Sequence, residues 1–233
     1  MPNTRASCID PPPPNIKHSV TCGQSTVIYA TLWRVERATI LGLYAQGLFP
    51  MDESVDSPPP ELPWWVADPR TIFELDETSR ATVRRRVRRS LKARDDWQLR
   101  ISTAFDTVIE HCAQPRGPED GVWLTVRMQR LYRLLHASGH AHTFEIWVGD
   151  ELAAGLIAVT LGRAAMLESM WHRVPHAGNV LVSRTLDALA GGGAELCDIQ
   201  TATPHTLRLG AVQLPRAEYE ERLRAALAPR PAR

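Results

Sequence analysis

The apolar positions follow two periods along this chain. VERATILGLYAQ, from Val35 to Gln46, has a helical pattern and meets Gly47 and Pro50, which predicts a helix ending there. TAFDTVIEHCA predicts a second helix, with Phe105, Val108, Ile109 and Cys112 on its apolar side. VWLTVRMQRLYRLLHASG reads as a turn and then an amphipathic helix stopping at Gly139. The period then shortens. HTFEIWVGDELAAGLIAVTLGRAAMLESMW predicts a strand through Trp147, a turn at Val148 to Asp150, and further apolar strands broken near Gly162. QLRIS is a short strand candidate. Val180 to Leu189 is an apolar helix, Gly191 to Gly193 a link, and Glu195 to Gln200 another strand. Pro204 opens a short helix, and AEYEERLRAALA makes the last one. The pattern predicts an α+β protein without internal repeats.

Proline marks the remaining boundaries. Pro11 to Pro14 predict an irregular start over the first 25 residues. DSPPPELPWWVADPR predicts an elbow that neither continues a helix nor fills a central strand. Residues 1–70 are therefore expected to form a small N-terminal region with a proline-rich connection, and 71–233 the main domain.

Charge adds one local feature. The chain has 233 residues, with 27 Lys and Arg against 26 Asp and Glu, a near-neutral total that does not exclude nucleic acid because local basic patches matter more than the sum. Yet seven of the eleven positions from Arg84 to Arg94 are basic, within a predicted helix. Arg84, Arg85, Arg88, Arg89 and Lys92 suit phosphate contacts, and composition weighs that equally against a solvated or protein-contacting surface. The four cysteines are scattered, which points to a reduced, cytoplasmic protein without structural zinc. No apolar run approaches the roughly 18 to 20 residues of a membrane span. His140 and His142 have no third ligand at a metal-binding spacing.

Several residues carry chemistry. Asp198 and Gln200 stand two apart on a predicted core strand, which would place both on one face. Glu168 lies within the sheet signal, where a carboxylate needs a partner or a role. Trp64, Trp65 and Trp123 suit either base stacking or packing, Trp123 being the better binding candidate at its element boundary. There is no Walker motif, no GxGxxG and no GxSxG.

In order, LYAQGLFP, WWVADPR, FDTVIEHCA, GVWLT, MQRLYRLLHASGHAHTFEIW, ESM, CDIQ and HTLRLGA resemble the leucyl/phenylalanyl-tRNA–protein transferase family from Leu43 to Tyr219. The resemblance implies a GCN5-related acyltransferase-like main domain behind a small N-terminal domain. It implies transfer of Leu, Phe or Met from aminoacyl-tRNA to the N-terminal amine of a protein beginning with Arg or Lys, a mark for N-end-rule degradation. No cofactor is expected, since the ester is already activated. On this likeness Asp198, Gln200 and Glu168 are the catalytic set, and Trp123 contacts the terminal adenosine. Met170, Leu156 and Leu167 belong to the substrate pocket, with Trp64, Trp65 and His205 as further substrate contacts, while the basic helix meets tRNA. The departures are Met51 for a tryptophan, Leu167 for a glycine, Thr203-Pro204-His205 for Asn-Asp-His, and Gly178-Asn179 for Ser-Lys; Leu167 is expected to narrow the pocket. Transfer to a small-molecule amine and an inactive tRNA- or peptide-binding protein are the alternatives. Acetyl-CoA chemistry lacks the expected glycine-rich loop.

Overall fold

The computed structural model of the protein describes residues 16–22, 25–30, 37–52, 62–115, 122 and 124–229. In chain order the elements are β1 (Ile16–Cys22), β2 (Ser25–Ala30), α1 (Arg37–Ala45), β3 (Phe49–Pro50), β4 (Pro63–Ala67), β5 (Arg70–Phe73), α2 (Glu77–Arg86), α3 (Arg88–Leu91), β6 (Trp97–Ile101) and α4 (Phe105–Cys112). They continue with α5 (Val126–Ala137), β7 (Ala141–Val148), β8 (Glu151–Leu161), β9 (Ala164–His172), α6 (Ala177–Gly191), β10 (Leu196–Asp198), α7 (Pro204–Leu209), β11 (Val212–Leu214) and α8 (Arg216–Leu227). The fold is α+β, with a four-stranded sheet ordered β1-β2-β4-β3 and a seven-stranded sheet ordered β11-β5-β10-β9-β8-β7-β6.

Two expectations change. The start of the chain is not irregular throughout, because Ile16–Cys22 pairs antiparallel with Ser25–Ala30. The segment PWWVA fills an inner strand, pairing with both β2 and β3. Its proline is tolerated because Pro63 occupies the first position of the strand.

The seven-stranded sheet is covered on both faces, which explains its continuous apolar runs. Side chains alternate along β9: Met166 joins a core with α1, α4, α5 and α8, while Ala165 and Leu167 join a core with α2 and α6. Close approach of α4 depends on Gly155, where a Cβ would lie 2.5 Å from Val108 Cγ2. Helix α4 itself buries Phe105, Val108, Ile109 and Cys112, and each large side chain removed from water contributes about 1.5–3 kcal/mol.

One parallel pairing shapes the centre. β10 runs beside β9 only from Leu196↔Ala164 to Asp198↔Met166. Beyond that point β9 continues along β8, while the other chain turns toward β5 through Ile199 N–H to Thr71 O and Thr71 N–H to Gln200 O. The strands separate, and a cavity opens between them.

Candidate active site

An ion pair lies behind this opening. The Arg70 guanidinium spans both oxygens of Asp198, Nε to Oδ1 at 2.9 Å and Nη2 to Oδ2 at 2.6 Å. Tyr219 donates its hydroxyl to Oδ2, and the Gln200 backbone N–H donates to Oδ1 at 2.8 Å. Both charged side chains are buried. Arg70 also donates to Gly47 O and lies over the rings of Phe49 and Tyr219. Burial opposes its charge, but the Asp198 carboxylate beside it holds the guanidinium above its ordinary pKa. Gly47 has φ +78°, and a side chain there would press on Tyr219.

The same carboxylate holds Gln200 in place. β10 ends at Asp198, and Gln200 lies beyond it with φ +60°, in the left-handed region that a non-glycine residue rarely occupies. The expected shared strand face therefore does not exist. Asp198 acts on Gln200 through a backbone hydrogen bond, and Gln200 lines the cavity.

Glu168 reaches the site through a β-bulge. Ile157 pairs with Ser169 and Ala158 with Leu167, so Glu168 is the unpaired extra residue of β9. Its Oε2 accepts from Tyr132 at 3.2 Å, while its buried Oε1 has no protein hydrogen bond. Burial raises the carboxyl to a pKa of about 8; the Asp198 charge adds to this, and the Tyr44 and Tyr132 hydroxyls and Arg70 oppose it. Those tyrosines are in turn raised, chiefly by burial and then by Glu168. Glu145, also buried in the sheet, differs: Thr143, Trp147, Thr103 and the Ala104 N–H all donate to it. It is a satisfied structural carboxylate, whereas Glu168 has one hydrogen bond, from Tyr132, and the Tyr44 hydroxyl near it.

The cavity measures about 330 Å³. Phe73, Leu156, Leu167, Met170, Val182 and Ile199 give it apolar walls; Phe49 to Met51 and Thr201, Thr203 and Thr206 line it as well. Glu168 Oε1, Ser169 Oγ and Gln200 Nε2 are its buried polar atoms without a protein partner. An apolar pocket with a few polar atoms converging on it suits a small hydrophobic group carrying a polar reacting end.

Glu168, Gln200, Met170, Leu156 and Leu167 are thus brought together. Asp198 stands behind the lining. His205 is exposed on α7, and Thr203 and Thr206, bonded to each other at the start of that helix, line the cavity instead; partial burial, Arg208 and His172 lower the His205 pKa. Trp64 is fully buried edge-on to Tyr44, and Trp65 donates to Met51 O; neither lines the cavity. Trp123 lies outside the described residues. Among the basic residues, Arg84 is paired with Glu77 and Asp187. Arg85, Arg88, Arg89 and Lys92 are exposed, and the last three border a depression of about 510 Å³ with His176. The basic segment is two helices broken at Val87 rather than one. Among the described residues, no group of three or more His, Cys, Asp or Glu side chains could hold a metal.

Arg70, Tyr44, Tyr132 and Tyr219 are the members of this site that pattern reading missed. Arg70 lies within WWVADPR, but no local feature of that stretch points to Asp198.

A profile of the leucyl/phenylalanyl-tRNA protein transferase family matches residues 75–224. The chain belongs to this family. The leucyl/phenylalanyl-tRNA–protein transferase of Bordetella petrii is 35% identical over 229 residues, spanning 96% of this chain and 88% of that protein. That of Cereibacter sphaeroides is 42% identical over 191 residues, 81% of this chain and 84% of the relative. That of Anaeromyxobacter dehalogenans is 39% identical over 194 residues, 83% and 80% of the two chains. The matched span of this leucyl/phenylalanyl-tRNA protein transferase family member contains the bulged strand with Glu168, the turn with Gln200, and the basic helices; Arg70 lies before it.

Proposed function

We propose that this protein transfers an apolar amino acid, Leu, Phe or Met, from aminoacyl-tRNA to the N-terminal amine of a protein beginning with Arg or Lys. The observation that carries the reading is that Glu168 and Gln200, each with a buried polar atom lacking a protein hydrogen bond, both line a cavity walled by Leu156, Leu167 and Met170. The apolar walls take the donor side chain. The acceptor amine attacks the ester carbonyl, a C–N bond forms, and the C–O bond to the terminal ribose breaks. Gln200 Nε2 donates toward the carbonyl oxygen as charge grows there. Glu168 accepts from the amine side. The proton lost by nitrogen balances the one gained by the ribose oxygen.

Asp198 has a positioning role in this reading. Four donors occupy its oxygens, and its Gln200 contact holds the amide in a strained but defined place. Orientation of two bound reactants supplies up to about 7–11 kcal/mol at the favourable extreme, so a weak base suffices. The exposed cations of α2 and α3 take the tRNA. The separation of β9 from β10 supports the likeness to GCN5-related acyltransferases. The division at residue 70 has support as well, since β1 to β4 make one sheet and β5 onward the other. A cytoplasmic setting agrees with the buried free thiol of Cys197.

The test supplies tRNAs charged with labelled amino acids, peptides starting with Arg or Lys, and separately a pool of small amines. Label on the peptides supports the proposal and identifies the donor. Label on a small amine alone, or tRNA bound without transfer, overturns it.

A further inference from the structure

The bulge in β9 does more than re-aim Glu168. In a regular strand residues 168 and 169 would point to opposite faces. Here both stand opposite Ile157, and both line the cavity. Ser169 is 7% exposed, and its Oγ has no hydrogen-bond partner in the protein. Thr143 and Thr125 by contrast are satisfied, by Glu145 and Asp52. The hydroxyls of Tyr44, Thr71 and Thr185 also lack partners, but none of these residues lines the cavity. Among the described residues, Ser169 is thus the cavity-lining residue whose hydroxyl is buried and unpartnered.

We propose that Ser169 is a further substrate-binding residue, its hydroxyl donating to an oxygen of the donor's ester group beside Glu168 and Gln200. This rests on the transferase reading above. The three side chains are complementary: an ionised Glu168 accepts only, the Gln200 amide nitrogen donates only, and a serine hydroxyl does both. An aminoacyl ester offers a nitrogen that donates and oxygens that accept. A hydroxyl next to the carboxylate supplies a donor on the β9 side of the cavity, across the opening from Gln200. A neutral donor there suits an ester oxygen and leaves Glu168 for the amine.

Ser169→Ala and Ser169→Thr are compared with the unaltered full-length protein, using leucyl-tRNA and an Arg-start peptide. Removing the hydroxyl is expected to lower kcat/KM about tenfold, and threonine to restore most of it. Affinity for uncharged tRNA should stay unchanged in both, because no ester is present. The alanine variant should melt no lower than the unaltered protein, since it deletes an unpartnered polar atom. Alanine turnover equal to that of the unaltered protein overturns the proposal, and so does a loss matched by lower melting or by weaker uncharged-tRNA binding. Failure of the unaltered protein to transfer leucine, phenylalanine or methionine would instead remove the transferase reading itself.

Discussion

Arg70 and Asp198 stand 128 positions apart and share a buried, two-point ion pair at 2.9 and 2.6 Å. The pair joins the start of β5 to the end of β10, the place where the central strands diverge. Breaking a buried pair by removing one partner costs about 3–5 kcal/mol, because the remaining charge has no compensation. Asp198→Asn and Arg70→Met are therefore expected to lower stability by about that amount in urea unfolding, along with any loss of transfer. Unchanged midpoints in both variants would show that the pair does not hold the site together.

Gln200 separates stability from activity. Its left-handed backbone is strained for any residue with a Cβ, and glycine relieves that strain by about 1 kcal/mol. Gln200→Gly should match or exceed the parent's stability while losing transfer by at least about a hundredfold, the effect of deleting one donor at a developing oxyanion. Gln200→Ala should lose as much transfer without the gain in stability. A glycine variant with parental turnover would remove the amide from the mechanism.

How far the sequence reaches is clear from these same residues. The helices and β7 to β9 are legible because apolar spacing switches from helical to strand-like at His142. Gln200 was misplaced because the i, i+2 rule assumes a strand, and β10 stops at Asp198 once the chain turns to bond with Thr71. Glu168 was visible as a carboxylate in an apolar run, but its bulge depends on the register against β8, which no single strand encodes. Arg70 and Tyr219 contact Asp198 over long separations, 128 and 21 positions, so no local period points to them. The basic helix was legible by density alone. That Arg84 is already engaged became apparent only when α6 brought Asp187 to it.

Glu168 predicts a pH dependence with a definite sign. Burial moves its pKa from the ordinary glutamate range up to about 8, so the folded protein holds this proton more tightly than the unfolded chain. Its favourable contribution is complete below the unfolded value and is lost as pH rises through the folded one. Stability should therefore fall between about pH 4.5 and 8 by an amount of the order of a few kcal/mol, and Glu168→Gln should flatten that slope. Urea titrations at several pH values measure it, and parallel profiles for the two proteins would refute the assignment. Transfer by the parent should rise as pH passes through about 8, where the folded protein's carboxylate ionises.

The basic residues divide by their partners. Arg84 bridges Glu77 on its own helix and Asp187 on α6, whereas Arg88, Arg89 and Lys92 are exposed beside His176. Replacing those three with alanine should weaken tRNA binding and flatten the plot of log affinity against log salt by about two to three units. Arg84→Ala should change that slope little and instead lower the melting temperature. Equal salt slopes for the parent and the triple variant would place the RNA on another surface.

Leu167 tests the shape of the donor pocket. It is buried, faces the cavity, and packs with Leu156 and Val182 in the core beneath α6. Leu167→Ala removes three carbons from the wall and leaves the polar end of the site untouched. The space should favour phenylalanine over leucine, raising the ratio of their kcat/KM values by about tenfold or more, since each carbon group in such a pocket is worth about 1–3 kcal/mol. Stability should fall by about 2–5 kcal/mol as the core loses the same atoms, so rates are compared per folded molecule. Competition between equal amounts of leucyl- and phenylalanyl-tRNA for one Arg-start peptide reads the ratio directly. A ratio equal to the parent's would show that Leu167 does not set the size of the donor side chain.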